Sequence, residues 1–300
     1  MTNSRIKFLT RTITPALIVA VVAAVMLATP GCSKKKADTR PVCYVGGTMY
    51  PVMQELAKLY EKKTGQEIRL DKAGSGVLME RIEAQEGTES DDNADLYICH
   101  DPYLDKLFAR GLGAEGWTIA AITPVIVVQP GNPKGIKTMK DLATTKDLRI
   151  VLTDFKHSTL GWMLPTLFAK VGVDFEKEIK PLKSLETHRR GGESANKVMS
   201  DTRDVTVVWN AVAHLRKPKV EVIELLPEHL PQPDVKEDMV TSASEKKDYD
   251  ISTIRVTLST IKGSKRAEAS KKFAEFVVSE EAQKIWKDFG FTQVPVTKEY

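Results

Sequence analysis

One arrangement recurs along this chain and limits what it can become: an apolar run ends in glycine or a hydroxyl residue and turns directly into a helix. The first instance is Val42 to Tyr60, which reads VCYVGG, then TMYPV, then MQELAKLY. The opening run predicts a buried parallel strand, and Val52, Leu56 and Leu59 follow at helical spacing. Pro51 suits the first helical turn, where its missing N–H costs nothing. Free backbone N–H groups and the Thr48 hydroxyl then stand above the strand end, which is an anion site in outline. The chain nearby lacks the lysine-bearing glycine loop of a nucleotide phosphate site.

The device returns. Glu67 to Leu70 predicts a second strand, and AGSGVLMERI sets Ser75 between glycines at the start of a helix. Asp95 to Cys99 predicts a third strand, which His100, Asp101 and Pro102 leave for a helix over Tyr103 to Arg110. Strand and helix in strict alternation predict an open α/β sheet whose ligand side is the carboxyl end of the strands. The run from Ile119 to Gln129, interrupted by Pro124, reads as a strand that leaves one lobe and enters another. In the second lobe a short helix is expected over Ile136 to Leu142, strands over Arg149 to Leu152 and Val205 to Trp209, and a helix over Leu160 to Val171. Its exit loops are TDFKHST, GGES before a helix over Ala195 to Ser200, and the Trp209-Asn210 junction. Ser158, Thr159, Ser194 and Asn210 all suit N-cap positions, so each satisfies its own helix or, taken as a set, they face a ligand. Hydroxyls and helix N-termini from two lobes can surround a small dianion, and the expected wall is one of neutral donors with no balancing lysine or arginine.

From Pro227 to Asp250 the chain is rich in proline and charge and lacks periodicity. It reads as a return to the first lobe, where a strand over Ile251 to Leu258 and helices over Ala267 to Val278 and Glu281 to Phe289 follow, Ser279 capping the last. The expected division is lobe I from residues 41–123 plus 250–300, lobe II from 124–235, and a return linker over 236–249. Two crossings near Thr123 to Val125 and Asp234 to Ile254 make a hinge that allows closure over a ligand. The fold class is therefore α/β: two lobes, each a central mixed sheet flanked by helices, with the ligand cleft between them.

Ahead of the folded part, Arg5, Lys7 and Arg11 precede the apolar segment Ala16 to Ala28 and then Gly31-Cys32, which predicts an export signal over residues 1–31 and a polar tether over 32–40. Without residues 1–31 the basic-to-acidic balance falls from 44 against 40 to 41 against 40, which argues against nucleic-acid binding. Three cysteines are no disulfide framework, and Cys43 and Cys99 read as two buried thiols in core strands. A metal site has candidates in His100, His157, Asp101 and Asp154, but their spacing matches no dedicated site. There is no nucleophile elbow or HExxH, so no catalytic residue is assigned and no enzyme is expected.

The order GGTMYPVMQELAKLYEKKTG, AGSGVLMERIE, ADLYICHDPYLDKLFARGL, PVIVVQPGNPKGIKTMKDL and GSKRAEASKKFAEFVVSEEAQKIWKDFGF resembles the periplasmic molybdate-binding components of ABC importers, within the two-lobed extracellular solute-binding proteins. The resemblance covers residues 41 to 300 and implies a type II-like binding-protein fold. It also implies molybdate or tungstate as ligand, no cofactor, and delivery by a monomer to a membrane permease and through it an ATPase. The Gly-Cys end of the apolar segment resembles a lipoprotein signal, which implies a lipid anchor on Cys32 in the periplasm. Carried over by motif, the ligand residues are Thr48, Ser75, His100, Thr159, Ser194 and, where the family has a tyrosine, Trp209 or Asn210; Ser158 joins them from the same exit loop.

Overall fold

The computed structural model describes residues 38–155, 158–241 and 248–300. The signal segment, Cys32 and the tether up to residue 37 lie outside the described residues, as do His157 and part of the return linker. Residues 39–300 form one compact unit.

The chain opens with β1 (Val42–Gly46), α1 (Tyr50–Thr64), β2 (Arg69–Ala73), α2 (Ser75–Ala84), β3 (Leu96–His100), α3 (Tyr103–Ala109) and β4 (Gly113–Ile122). α1 starts at Tyr50, with Pro51 in its first turn, and stops where Gly65 adopts a left-handed φ of 73° and donates its N–H back to the Glu61 carbonyl. Side chains of β1 alternate between two cores. Val42 and Tyr44 pack with Tyr97 and Cys99 under α2, while Cys43 and Val45 pack with Leu96 and Ile98 under α1. Cys43 and Cys99 are thus free thiols on opposite faces of the sheet, and burial pushes the Cys99 thiol up to about 12.

At Thr123 the chain leaves this sheet. β5 (Pro124–Val128), α4 (Asp141–Thr144), β6 (Ile150–Thr153), α5 (Thr159–Ala169), β7 (Leu185–His188), α6 (Gly191–Met199), β8 (Val205–Trp209), α7 (Asn210–His214) and β9 (Glu221–Glu224) build a second one. A short ribbon, β10 (Val240–Thr241) with β11 (Asp248–Tyr249), precedes β12 (Ile254–Ile261), α8 (Ala267–Val277), α9 (Glu280–Asp288) and β13 (Thr297–Lys298), which complete the first. Ser279 caps α9 by accepting from the Ala282 N–H. The six-stranded sheet has the order β13-β4-β12-β3-β1-β2 and the five-stranded sheet β7-β6-β8-β5-β9. Both are mixed. β1, β2 and β3 run parallel, as do β6, β7 and β8, and antiparallel strands follow on one side of each trio.

Three local expectations need correction. The helix expected over Ile136 to Leu142 is only α4, because the Asp141 carboxylate accepts from the Lys137 and Thr138 N–H groups and folds the preceding residues into a turn. The helix expected from Ala195 begins at Gly191, so Ser194 lies inside its first turn. The single run Ile119 to Gln129 is two strands in different sheets that meet at Thr123.

Candidate functional site

The carboxyl ends of both parallel trios border one cleft of about 610 Å³. Thr48 stands on its wall after β1, Ser75 after β2, His100 at the end of β3, Ser158 and Thr159 ahead of and at the start of α5, and Trp209 at the end of β8. Six of the eight expected residues are therefore brought together. Ser194 and Asn210 are not on the wall.

Each plays a different part. Gly74, not Ser75, occupies the N-cap of α2, so the Ser75 hydroxyl caps nothing. It is tucked beside Gly46, where a Cβ would lie 2.7 Å from Oγ, and that close approach requires glycine. The Tyr97 hydroxyl holds this corner by donating to the Ser75 carbonyl at 2.6 Å. Ser158 is a true cap: its Oγ accepts from the Gly161 N–H and donates to the Asp154 carbonyl, both at 2.9 Å. Thr159 donates to the Asp101 carbonyl at 3.3 Å and so ties α5 to the strand end of the other lobe. Ser194 is fully buried against the sheet, with no partner for its hydroxyl. Asn210 works at the crossing between sheets. Its Oδ1 accepts from the Thr123 N–H at 3.1 Å and its Nδ2 donates to Thr292 Oγ1 at 3.0 Å.

The expectation of a wall of neutral donors is overturned. Lys72, Arg189, Arg190 and Arg216 all line the cleft, and among the described residues Glu193 is the one carboxylate on it. Arg189 and Arg190 form the lead into α6, whose N-terminus faces the same space through Gly191 and Gly192. Arg216 is locked beside it, donating to Asn196 Oδ1, the Val212 carbonyl and the Gly192 carbonyl. Burial lowers the Arg216 pKa from the ordinary arginine value. Helix N-terminus and guanidinium together make this end of the cleft strongly favourable to an anion.

Among the described residues the buried hydroxyls of Ser75, Thr153, Ser194 and Thr206 have no partner, and two of these residues, Ser75 and Thr153, stand at the cleft. Thr153 ends β6, whereas the capping residues of TDFKHST lie at the far end of that loop, so local order alone does not single Thr153 out. An unpartnered buried hydroxyl costs about 1 to 3 kcal/mol, and a ligand acceptor that reached either hydroxyl at the cleft would offset that cost.

His100 adds a group of the opposite kind. Nδ1 lies 2.9 Å from the Asp101 carbonyl, which can only accept, so Nδ1 carries the proton. Burial lowers the ring's pKa below its ordinary value, outweighing the Asp101 carbonyl and carboxylate that favour the cation. The neutral ring keeps a lone pair on Nε2. Among the described residues no group of three or more His, Cys, Asp or Glu is placed to hold a metal ion, and no helix is long and apolar enough to cross a membrane.

The family described as bacterial extracellular solute-binding protein matches residues 42–292. A sulfate-binding protein of Synechococcus elongatus is 30% identical over 115 residues, which are 36% of this chain and 32% of that protein, so the match spans about a third of that relative's length. Among solved structures, the periplasmic molybdate-binding protein of Azotobacter vinelandii superposes with a TM-score of 0.61 at 13% identity, covering 85% of this chain and 100% of the other. The iron-bound HitA of Pseudomonas aeruginosa gives 0.61 at 19%, covering 87% of each chain. The periplasmic binding protein AfuA of Actinobacillus pleuropneumoniae, with fructose-6-phosphate bound, gives 0.63 at 16%, covering 85% and 84%. At such identities the likeness is one of fold.

Proposed function

Because the chain belongs to the bacterial extracellular solute-binding protein family, we propose that it captures a solute bearing a tetrahedral oxyanion group between its lobes and delivers it to the permease of an ABC importer. The observation that carries this reading is the pair of buried, unpartnered hydroxyls, Ser75 and Thr153, in a cleft with four cations on its wall. An oxyanion supplies the acceptors those groups lack. Molybdate and tungstate belong to this class, and so does sulfate. With lysine and arginines on that wall the supported class is the wider one, phosphate included. A cationic wall with no carboxylate or histidine cluster among the described residues is poorly suited to ferric or zinc ions.

Titration calorimetry of the purified protein with molybdate, tungstate, sulfate, phosphate, ferric and zinc ions tests the class, and the hydroxyls test the place. Ser75→Ala and Thr153→Val each remove a donor to a charged oxygen and should lower oxyanion affinity by about 1.5 to 3 kcal/mol, roughly one to two decades. Neither hydroxyl has a partner in the ligand-free fold, so the melting temperature without ligand should hold or rise. A variant that melts lower yet binds as before makes its hydroxyl structural. If no oxyanion binds, the reading falls.

We place the protein outside the cytoplasm, tethered by lipid on Cys32 within reach of its permease. Intact mass of the native protein should begin at Cys32 with an acyl increment that Cys32→Ser abolishes; a native species without that increment removes the anchor and leaves ordinary secretion.

A further inference from the structure

We infer that the solute is a small phosphomonoester with at least one free hydroxyl, rather than a bare oxyanion, an inference that rests on the anion reading of the cleft. Room is the first argument. The cleft measures about 610 Å³, whereas a bare oxyanion displaces only a few waters at ~30 Å³ each. Cavities of this size ordinarily hold organic molecules.

The second argument is apolar surface. Val77 on α2 and Leu215 just after α7 are 48% and 44% exposed, and both line the cleft, one from each lobe. The other large exposed apolar side chains among the described residues lie away from it. Between the lobes runs a line of rings, with the His100 centroid 6.1 Å from that of Tyr103 and 6.1 Å from that of Trp209. Tyr103 and Trp209 are themselves buried, so Val77 and Leu215 are the surface that a bare ion leaves open and a carbon skeleton covers.

The third argument is hydrogen-bond sense. A fully deprotonated oxyanion needs donors alone, but His100 offers an acceptor at Nε2 on the same wall, whereas the Glu193 carboxylate there already accepts from Arg190. A ligand hydroxyl answers that need. The phosphate group then belongs beside Ser75, Thr153 and the N-terminus of α6, and the skeleton against Val77 and Leu215.

The test is a comparative titration of the purified protein with molybdate, sulfate and orthophosphate on one side, and glycerol 3-phosphate, 3-phosphoglycerate and glucose 6-phosphate on the other. At least one ester should bind about tenfold tighter than every bare ion, and the Val77→Ala, Leu215→Ala double variant should lower its affinity about tenfold while lowering that of orthophosphate less. Both residues are solvent-facing, so the variant folds. If a bare ion binds more tightly than every ester, the inference is wrong and the anion reading stands. If none of the six binds, both fall, and an ester that binds equally well to the double variant refutes the placement of its skeleton.

Discussion

Replacing Asp95 by alanine should destabilise the protein by about 3 to 5 kcal/mol, the usual cost of removing one partner from a buried ion pair. Asp95 Oδ2 accepts from the Val42 N–H and from Arg266 Nε, both at 2.7 Å, and Oδ1 accepts from Ser264 Oγ at 2.6 Å. One carboxylate thus joins the start of β1, the start of β3, and the approach to α8. The Arg266 side chain is only 10% exposed, so its charge cannot turn to water once Asp95 is gone. A domain of this kind has about 5 to 15 kcal/mol in all, which makes the loss a large fraction of the total. The second lobe carries the same device: Asp204, just before β8, accepts from the Arg149 N–H at 2.7 Å and from its guanidinium. There the Arg149 side chain is 45% exposed and rehydrates when released, so Asp204→Ala should cost clearly less, about 1 to 3 kcal/mol. Urea unfolding of both variants is the check. An equal shift in midpoint, or a shift under about 1 kcal/mol for Asp95→Ala, refutes the argument from burial.

That repeated aspartate marks what a linear reading of the chain conveys and what it hides. The inner parallel strands β1, β3, β6 and β8 were legible, because strands buried on both faces are nearly continuous apolar runs and each turns within a few residues into a helix. The edge strands β7 and β9 were not. LETH and EVIE alternate charge with partial burial, as edges of a sheet do, and carry no apolar run to find. The first half of β4, GAEGW, hides behind its glycines; Gly113 and Gly116 leave space for the Phe108 ring.

The site divides along the same line. Hydroxyls next to strand ends could be picked out one by one, since their position depends only on local order. Asn210 has the same local signature, yet its partners Thr123 and Thr292 lie 87 and 82 residues away, and only the fold reveals that it fastens the crossing. The cations were hidden for a similar reason. Lys72 comes from the six-stranded sheet, while Arg189, Arg190 and Arg216 lead into α6 or follow α7, and they meet only when the strand ends of both sheets face each other.

Gly161→Ala is expected to have the second large effect, on stability and binding together. A Cβ at this position would lie 2.0 Å from the Asp154 carbonyl oxygen and 2.7 Å from its carbon. Backbone cannot yield as a side-chain tip does, so either Asp154 or the start of α5 must move. Overpacking of a well-packed site costs about 1 to 3 kcal/mol, and a backbone contact this short belongs at the upper end. The Asp154 carbonyl also receives the Ser158 hydroxyl, whose oxygen accepts from the Gly161 N–H, so displacement opens the cap of α5 as well. Thr159, the next residue, then loses its hold on the Asp101 carbonyl, and the two walls of the cleft shift against each other. Affinity for the captured anion should therefore fall by at least about tenfold, a misplacement effect that needs no lost contact to the ligand itself. Gly74→Ala is the matched control: its φ of −67° suits any residue and nothing lies within 4 Å of the added methyl, so stability should change by less than about 1 kcal/mol. Thermal melting and anion titration of the two variants side by side decide the matter. Native-like stability and affinity in Gly161→Ala would show that the Asp154 turn yields freely, and that the approach of this turn to α5 does not position the cleft wall.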